Sequence, residues 1–336
     1  MGFDSFCGNR KNIERLQAKL RQERFSHGLL FSGPDGIGKK TCALMVAKAL
    51  NCLNSEPGDF CDACSQCHKI NAGTHPDIIR IELEDEASEI KISQIREAIR
   101  MLEFHPLEGR SKAFIIDPAG LLNASSANAL LKGLEEPPDN NYFILVTNNL
   151  HAMLPTIRSR CQLYAFTPLA LDDLRQFANS SDELTLRWSR GSVGTLRTLD
   201  SSALRSQRDM ILNFIETAIL ATEEEFRDLI AASKEVAGTK QDFGTHLEMI
   251  GVVLADLLYL KEGFSEHIVN FDIQPRLEKL AANISTTQLI RLAEFLAVME
   301  SSLKTHVNRP MLTEVLALTA NLSLAKILDD NPMGSR

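Results

Sequence analysis

Aromatic side chains are scarce in this sequence, and there is no excess of positive charge. Phe, Tyr and Trp together make up 6% of 336 residues, so a folded core must be built mainly from aliphatic side chains. The formal net charge is −8. A chain with this charge has no global positive field that would draw it onto nucleic acid or an anionic membrane. Any contact with DNA would therefore have to be local, or shared with partner proteins.

Long hydrophobic runs are also lacking. Residues 1–16 contain no apolar stretch of the kind found in signal peptides. The most apolar run, residues 249–260, spans about 12 residues and contains Asp256, which is too short for a bilayer. We therefore expect a buried helix there, and a cytoplasmic protein without membrane contact. In that compartment the seven cysteines are expected to be thiols or metal ligands rather than disulfides.

Strand-like and helix-like patterns alternate over the first 165 residues. Such alternation predicts a mainly parallel sheet with helices on both faces. From about residue 204 the pattern is almost entirely helical. The predicted fold class is α/β: a P-loop nucleotide-binding domain with an inserted metal module, then a small helical lid, then an all-α domain. The predicted boundaries are 1–166 for the first domain with its module at about 52–73, 167–203 for the lid and 204–330 for the helical domain. The apolar runs that predict strands are 27–33, 77–83, 112–117 and 142–148.

Residues 33–41, GPDGIGKKT, follow an apolar run and precede a helical pattern, as a phosphate-binding loop does. The motif for such a loop is Gly, four free positions, Gly, Lys and then Ser or Thr. Gly33, Gly38 and Lys39 match it, and Gly36 adds a further flexible position. Glycines free the backbone N–H groups that bind phosphate, and the lysine reaches the terminal phosphates. The segment therefore predicts a phosphate loop.

The hydroxyl residue that should follow the lysine is missing from this loop. Lys40 occupies its position, and Thr41 comes one residue later. Successive helical residues are turned by about 100°, so Thr41 cannot simply replace the missing hydroxyl. Lys40 would instead place a second cation near the metal position. The loop can still bind phosphate by this reasoning, but coordination of Mg²⁺ is disfavoured and binding of ATP or ADP is left open.

The strand predicted at 112–117 provides an independent test. Active enzymes of this class end it with Asp-Glu, the Asp binding the metal and the Glu orienting the attacking water. Here Asp117 is present, but Pro118 takes the position of the Glu. Proline has no carboxylate, so two independent parts of a hydrolytic site are altered.

A cluster of four cysteines has the spacing C-x8-C-x2-C-x2-C. Four thiolates suit a closed tetrahedral zinc site with a structural role. An iron–sulfur cluster is the main rival, although the following x3-C-P is absent, and unligated thiols are the remaining alternative. The insert has little apolar content, so a metal would hold it together. His68 is expected to face solvent or to pack, and the other cysteines are expected to be small buried residues. The four candidate ligands are Cys52, Cys61, Cys64 and Cys67, and the other cysteines are Cys7, Cys42 and Cys161.

These motifs together resemble the bacterial clamp-loader AAA+ family, which comprises the gamma/tau and delta-prime subunits of DNA polymerase III. The resemblance rests on the phosphate loop, the cysteine insert, SSANALLKGLEEPP at 125–138 and LPTIRSRC at 154–161. It covers residues 3–200, and the C-terminal helices resemble the family's collar more loosely. It implies a hetero-pentameric ring with gamma/tau and delta subunits that loads a sliding clamp onto primer-template DNA. The chain would then be part of a DNA-directed DNA polymerase holoenzyme.

Three departures from the gamma/tau pattern favour the delta-prime type, which the resemblance describes as a non-hydrolysing stator. They are Lys40 in the loop, Pro118 on the second strand, and Gly194 where the second sensor would have an arginine. The alternative is a catalytically active gamma/tau-like ATPase. A stand-alone zinc DNA-binding protein is disfavoured by the acidic balance of the chain.

The resemblance also assigns roles to single polar residues. Arg160 would be an arginine finger that reaches the ATP of a neighbouring subunit, where a guanidinium stabilises the transferring phosphoryl group. Arg158 is a possible second contributor, and the alternative for Arg160 is an ordinary surface arginine. Asn148 matches the first-sensor position, and its alternative is a cap at the end of a strand.

Overall fold

A five-stranded parallel sheet organises the amino-terminal half of the chain. In this computed structural model the described residues are 2–22, 25–54, 58–85, 87–178, 182–220, 222, 225–302 and 308–321. The strands are β1 (Gly28–Ser32), β2 (Ile78–Ile81), β3 (Lys112–Ile116), β4 (Asn141–Thr147) and β5 (Gln162–Ala165). Their order across the sheet is β2-β3-β4-β1-β5, and every neighbouring pair is parallel. The predicted parallel sheet is confirmed.

Helices fill the connections between the strands and the whole carboxyl-terminal part of the described chain. Their ends follow local sequence signals. Asn123 caps α5 by accepting the backbone N–H of Ser126 at 2.9 Å, and Pro137 and Pro138 follow its last residue. The α-helices are α1 (Arg10–Arg21), α2 (Lys39–Asn51), α3 (Ser65–Ala72), α4 (Ile92–Met101), α5 (Ala124–Glu135), α6 (Pro155–Arg158), α7 (Leu171–Ala178), α8 (Glu183–Trp188), α9 (Val193–Thr198), α10 (Ser201–Leu220), α11 (Phe226–Ala237), α12 (Lys240–Lys261), α13 (Gln274–Asn283), α14 (Thr286–Ser302) and α15 (Arg309–Ala320).

Each face of the sheet has its own hydrophobic core. On β1, Leu29 and Phe31 point to the core shared with α1, α2 and α3, whereas Leu30 points to the core shared with α4 and α5. All residues of β1 and β3 are buried, as expected for parallel strands covered on both sides. This arrangement confirms the prediction of helices on both faces.

Some short elements escaped the sequence analysis. The strand β5 was not predicted, because it has only four residues, pairs with β1 alone and exposes Leu163 at the sheet edge. Helices α3 and α13 were also missed. The helical pattern predicted from about residue 204 is observed as far as α15, and the part of that prediction beyond residue 321 lies outside the described residues.

The chain divides into two compact units. The first comprises Met1–Asp182 with Ser189–Thr198, and the second comprises Glu183–Trp188 with Leu199–Arg336. The second unit is helical, and its core is built mainly from aliphatic side chains of α10, α12 and α14. The division of the sequence into three domains stays a prediction, since α8 groups with the second unit and α9 with the first.

The apolar run at 249–260 lies within the longer helix α12. By length and composition, Asp242–Lys261 could cross a membrane, with a mean hydropathy of 1.4, but more than half of it is buried inside the unit. Asp256 is fully buried in this helix. Its carboxylate accepts the backbone N–H groups of Val269 and Asn270 and the side-chain amide of Asn270, at 2.7–2.9 Å. Burial nevertheless raises the pKa of Asp256. These contacts fit the buried core helix that was predicted.

A second buried carboxylate, Asp77, fixes the loop that leads into β3. It accepts backbone N–H groups from Leu107, Glu108 and Gly109 at 2.7–2.8 Å. Burial alone would raise the pKa of Asp77, but these three donors outweigh it and hold the pKa below its usual range. The backbone oxygen of Asp77 accepts the N–H of Ala113, which joins this anchor to the sheet.

Replacing this carboxylate tests how much it stabilises the first unit. In Asp77→Asn one of the two accepting oxygens becomes an NH2 group, which cannot accept the N–H donors it faces, so the free energy of unfolding at neutral pH should fall by about 2–3 kcal/mol. Because the folded pKa is depressed, the stabilisation is present above the unfolded pKa and lost as the pH falls through the folded pKa. Urea unfolding against pH measures both effects. The exposed Asp85→Asn is the control, and an equal loss in both variants would contradict this account.

Candidate functional site

The loop between β1 and α2 has the backbone that a phosphate loop needs. Gly33, Gly36 and Gly38 all have positive φ angles, of 150°, 71° and 92°. A Cβ atom on Gly33 would lie 2.3 Å from the carbonyl oxygen of Phe166, so only glycine fits there. The helix α2 begins directly after the loop, at Lys39. The backbone expected from the sequence is therefore present.

A cavity of about 350 Å³ opens beside this loop. It brings together most of the residues that the sequence analysis singled out. Gly33, predicted for the phosphate loop, and Arg160, predicted as the arginine finger, are not among the residues that line it. The lining residues are Asp35, Gly36, Gly38, Lys39, Lys40, Thr41, Asp117, Pro118, Val146, Asn148, Val193, Gly194 and Arg197.

Lys39 is folded back onto its own loop. Its ammonium group donates to the carbonyl oxygens of Gly33, at 2.6 Å, and Pro34, and lies 3.7 Å from the carboxylate of Asp35. The side chain is only 5% exposed. Burial lowers the pKa of Lys39, and the carboxylates of Asp35 and Asp117 oppose that change. To contact a phosphate, the ammonium group must exchange these carbonyl oxygens for phosphate oxygens.

Asp35 joins the loop to the end of β4. Its carboxylate accepts the side-chain amide of Asn148 at 2.8 Å, while its other oxygen faces Lys39. Asn148 thus lies at the cavity, where a first sensor would be. Asp35 was not singled out from the sequence, because an exposed aspartate in a glycine-rich turn has a common alternative as a turn residue.

The two altered positions of the hydrolytic pattern line the same cavity. Lys40 forms an ion pair with Glu82 at 2.7 Å, with both side chains about half exposed. Burial raises the pKa of Asp117, and the positive charges of Lys40 and Lys39 act against that rise. Pro118 lies beside Asp117 and offers no side-chain acceptor that could orient water. Lys40 therefore lies near Asp117, the carboxylate that the loop pattern would assign to a metal ion.

A backbone contact closes one side of the cavity. The N–H of Gly194 donates to the carbonyl oxygen of Gly36 at 2.8 Å. A Cβ atom on Gly194 would lie 2.9 Å from the Cα atom of Gly36, so an arginine cannot replace Gly194 without movement of the backbone. At position 194, where the resemblance implies a second-sensor arginine, this chain has instead a close approach of two glycine backbones.

Arg197 is a cavity residue that the sequence analysis missed. It lies one helical turn after Gly194 on α9, and its guanidinium group stacks over the ring of Phe177 at 5.1 Å. The available signal was its spacing, since residues three apart share a helix face. The cavity therefore carries three basic side chains, from Lys39, Lys40 and Arg197.

Arg160 lies on an exposed surface just after α6. Its guanidinium group donates to the carbonyl oxygen of Thr156 at 3.1 Å and pairs with Glu135 at 2.7 Å. The side chain is 36% exposed. Arg160 does not line the cavity of its own chain. Arg158, the possible second contributor, is half-buried at the end of α6.

The cysteine cluster comes together in space as its spacing predicted. The four sulfur atoms lie within 4.8 Å of one another. Tetrahedral zinc with Zn–S bonds of about 2.3 Å needs sulfurs about 3.8 Å apart, so the four thiols fit this ion. The backbone N–H groups of Cys61 and Cys64 donate to the sulfurs of Cys52 and Cys61 at 3.3 Å, which favours thiolates. The four cysteines are placed to hold a metal ion.

The remaining predictions on this insert and on the cysteines have mixed outcomes. His68 is exposed, as expected. Cys42 and Cys161 are buried, as expected. Cys7 was expected to be buried and is only half-buried, because its sulfur lies 3.9 Å from the carbonyl oxygen of Asp173 near the surface.

Two family models match this chain. Residues 8–170 match "DNA polymerase III, delta subunit", and residues 209–320 match "DNA polymerase III, delta subunit, C terminal". The chain belongs to the clamp-loader AAA+ family. The resemblance that the motifs carried is thereby confirmed at the level of the family.

Curated gamma and tau subunits of DNA polymerase III are similar to this chain. The tau subunit of Bacillus subtilis is 34% identical over 230 residues, covering 66% of this chain and 40% of the relative. The tau subunit of Escherichia coli is 30% identical over 252 residues, covering 71% and 39%. The gamma subunit of Buchnera aphidicola is 35% identical over 175 residues, covering 52% and 48%. The chain spans less than half the length of each of these relatives.

Two solved structures of clamp-loader proteins are also similar. A gamma subunit-related protein of Thermotoga maritima has a TM-score of 0.49 and 17% identity, covering 92% of this chain and 98% of that one. The clamp loader delta protein of Bacillus subtilis has a TM-score of 0.35 and 12% identity, covering 92% and 99%.

Metal analysis tests the cysteine cluster of this clamp-loader chain. Mass spectrometry of the purified protein should find about one zinc ion per chain, because four thiolates close a tetrahedral site. Cys61→Ser removes a ligand and should lose most of the metal. Cys7→Ser, outside the cluster, should retain it. Iron in the wild-type protein, or full zinc content in Cys61→Ser, would contradict the zinc site.

A second variant tests the glycine–glycine contact beside the phosphate loop. Gly194→Ala places a methyl group 2.9 Å from Gly36, so the free energy of unfolding should fall by about 1–3 kcal/mol. Urea unfolding measures the loss. In the control Gly251→Ala, within α12, the methyl group meets only a Leu296 methyl at 3.3 Å. The control should be neutral or more stable, and equal behaviour of the two variants would refute the steric argument.

Proposed function

We propose that this chain is a delta-prime-type subunit of the DNA polymerase III clamp loader. It hydrolyses no ATP itself and serves as a stator in a ring with gamma/tau and delta subunits. Through that ring it takes part in loading the sliding clamp onto primer-template DNA, as a cytoplasmic component of a DNA-directed DNA polymerase holoenzyme. Membership of the clamp-loader family supports the general role, and the cavity supports the subunit type.

The proposal depends on Lys40 and Pro118, which both line the cavity. They take the sequence positions of the hydroxyl that would bind Mg²⁺ and of the carboxylate that would orient water. A hydrolytic P-loop site needs a hydroxyl and a carboxylate for Mg²⁺ and a group that orients water. Here a lysine replaces the hydroxyl and pairs with Glu82, and a proline follows Asp117. Neither replacement supplies the missing chemistry, so the cavity lacks the means to activate water.

Arg160 gives the inactive chain a role in its neighbour's reaction. A guanidinium group is always charged and can bind two phosphate oxygens at once, which stabilises the charge of a phosphoryl group in transfer. In this chain the group is held at the surface by Glu135 and Thr156. Both partners are at the surface, so a neighbouring nucleotide can compete for the guanidinium group.

The zinc held by the four cysteines would have a structural role. It would join the carboxyl end of α2, at Cys52, to the start of α3, at Cys64 and Cys67. Four cysteine ligands leave no open coordination position, so the ion would supply stability rather than catalysis.

The second candidate is an active gamma/tau-type ATPase. The similarity to gamma and tau subunits of three bacteria favours it, as does the intact loop from Gly33 to Lys39. The two candidates differ in a measurable way, because only the second predicts turnover by the isolated chain.

Steady-state ATP hydrolysis with Mg²⁺ distinguishes these candidates. The isolated chain should show no turnover. In a complex with an intact gamma-type partner, Arg160→Ala should reduce turnover by at least about tenfold, since an arginine finger supplies about 10³–10⁵ in rate at the site it serves. Size-exclusion chromatography confirms that the variant still assembles.

Two matched variants control this experiment. Arg96→Ala removes an exposed arginine from α4 and should leave turnover unchanged. Glu135→Gln removes the ion-pair partner of Arg160 and should keep or raise turnover. Turnover by the isolated chain that Lys39→Ala abolishes would overturn the stator and establish the ATPase. An assembled Arg160→Ala complex with full activity would overturn the trans finger.

A further inference from the structure

The cavity beside the phosphate loop has an unusual balance of charge. Three basic side chains, from Lys39, Lys40 and Arg197, line it together with the carboxylates of Asp35 and Asp117 and the backbone of the loop. Ordinary P-loop sites have one loop lysine and recruit a divalent ion to neutralise the phosphates. Here two further cations are built into the chain itself.

Lys40 lies on the side of the cavity where a metal ion would bind. Its ammonium group is 2.7 Å from Glu82, and its charge also acts on Asp117, the carboxylate at the end of β3. A divalent ion at this place would meet a fixed positive charge at close range and would be repelled. A phosphate would meet the same charge and be attracted.

Arg197, on α9, provides a further cation that lines the cavity. The contact between Gly194 and Gly36 holds the first turn of α9 against the phosphate loop, and Arg197 follows one turn later. Stacking on Phe177 orients its guanidinium group. Such a group forms paired hydrogen bonds with phosphate oxygens.

We propose that this cavity binds a nucleoside diphosphate without a divalent metal ion, with Lys40 in the place of the metal and Arg197 contacting the phosphates. The inference rests on the proposed function, because it names a static ligand for a cavity that does not hydrolyse ATP. Lys39 moves from the carbonyl oxygens of Gly33 and Pro34 to the terminal phosphate, exchanging neutral acceptors for charged ones.

Charge favours the diphosphate over the triphosphate. Asp35 and Asp117 also line the cavity, so its three basic side chains and two carboxylates leave a formal net charge of +1. A diphosphate has less negative charge than a triphosphate and needs less neutralisation.

Isothermal titration calorimetry of the full chain with ADP and with ATP tests the inference. Wild-type protein should bind ADP with the same dissociation constant, within about twofold, in EDTA and in Mg²⁺. ATP in EDTA should bind at least about tenfold more weakly than ADP. Arg197→Ala should weaken ADP binding about tenfold or more in both conditions, because a charged hydrogen bond is lost. The exposed Arg96→Ala should bind as the wild type does.

Lys40→Ser is the decisive variant, because it restores the hydroxyl of the standard loop pattern. It should bind ADP at least about tenfold more weakly than the wild type in EDTA, and addition of Mg²⁺ should recover much of that loss. Lys40 is about half exposed, so the variant should fold, which thermal unfolding verifies. Wild-type binding that requires Mg²⁺, or the absence of ADP binding in both conditions, would overturn the inference.

The two proposals fail in distinguishable ways. If ADP does not bind but Arg160→Ala still lowers the partner's turnover, the stator stands and the metal-free site is refuted. If the chain alone hydrolyses ATP with Mg²⁺, both are refuted. If ADP binds without a metal ion but the assembled Arg160→Ala complex keeps full turnover, only the arginine finger in trans is refuted.

Discussion

Parallel pairing of β1 with β4 and β5 is the constraint on which the site depends. The pairing continues past the end of β1, where Gly33 donates its N–H to Thr147 at 3.2 Å and Phe166 donates to Ser32 at 2.7 Å. Because parallel strands end at one edge of the sheet, the chain after β1, β3 and β4 meets there. The phosphate loop and Asp117 thus share one cavity, although far apart in sequence.

Within that cavity, charges are balanced by the chain itself. Lys39 is buried with Asp35 nearby, and Lys40 is paired with Glu82. A buried or half-buried ion needs such partners, because desolvation otherwise makes its charge costly. An ordinary P-loop site leaves part of this balance to Mg²⁺ and nucleotide. Here Asp35 and Glu82 supply counter-charges from the chain itself, as the proposed static site requires.

Much of this site could be predicted from sequence, and the missing parts depend on long-range contacts or on very short elements. The strands other than β5 follow from apolar runs, and the sulfur cluster follows from cysteine spacing. The partner of Lys40, Glu82, does not, because the two residues are distant in sequence and an ion pair leaves no periodic pattern. The strand β5 was missed because it has only four residues and begins with the polar Gln162, so its apolar run is too short to predict a strand.

The contact between Gly36 and Gly194 also restricts how this chain can evolve. A serine at 40 or a glutamate at 118 needs only a change of side chain. An arginine at 194 needs space that the backbone of Gly36 already occupies, since the first side-chain atom would lie 2.9 Å from it. A lineage carrying this chain would have to alter the loop before that arginine became tolerable. The order of the mutational steps toward a motor is therefore constrained by backbone packing.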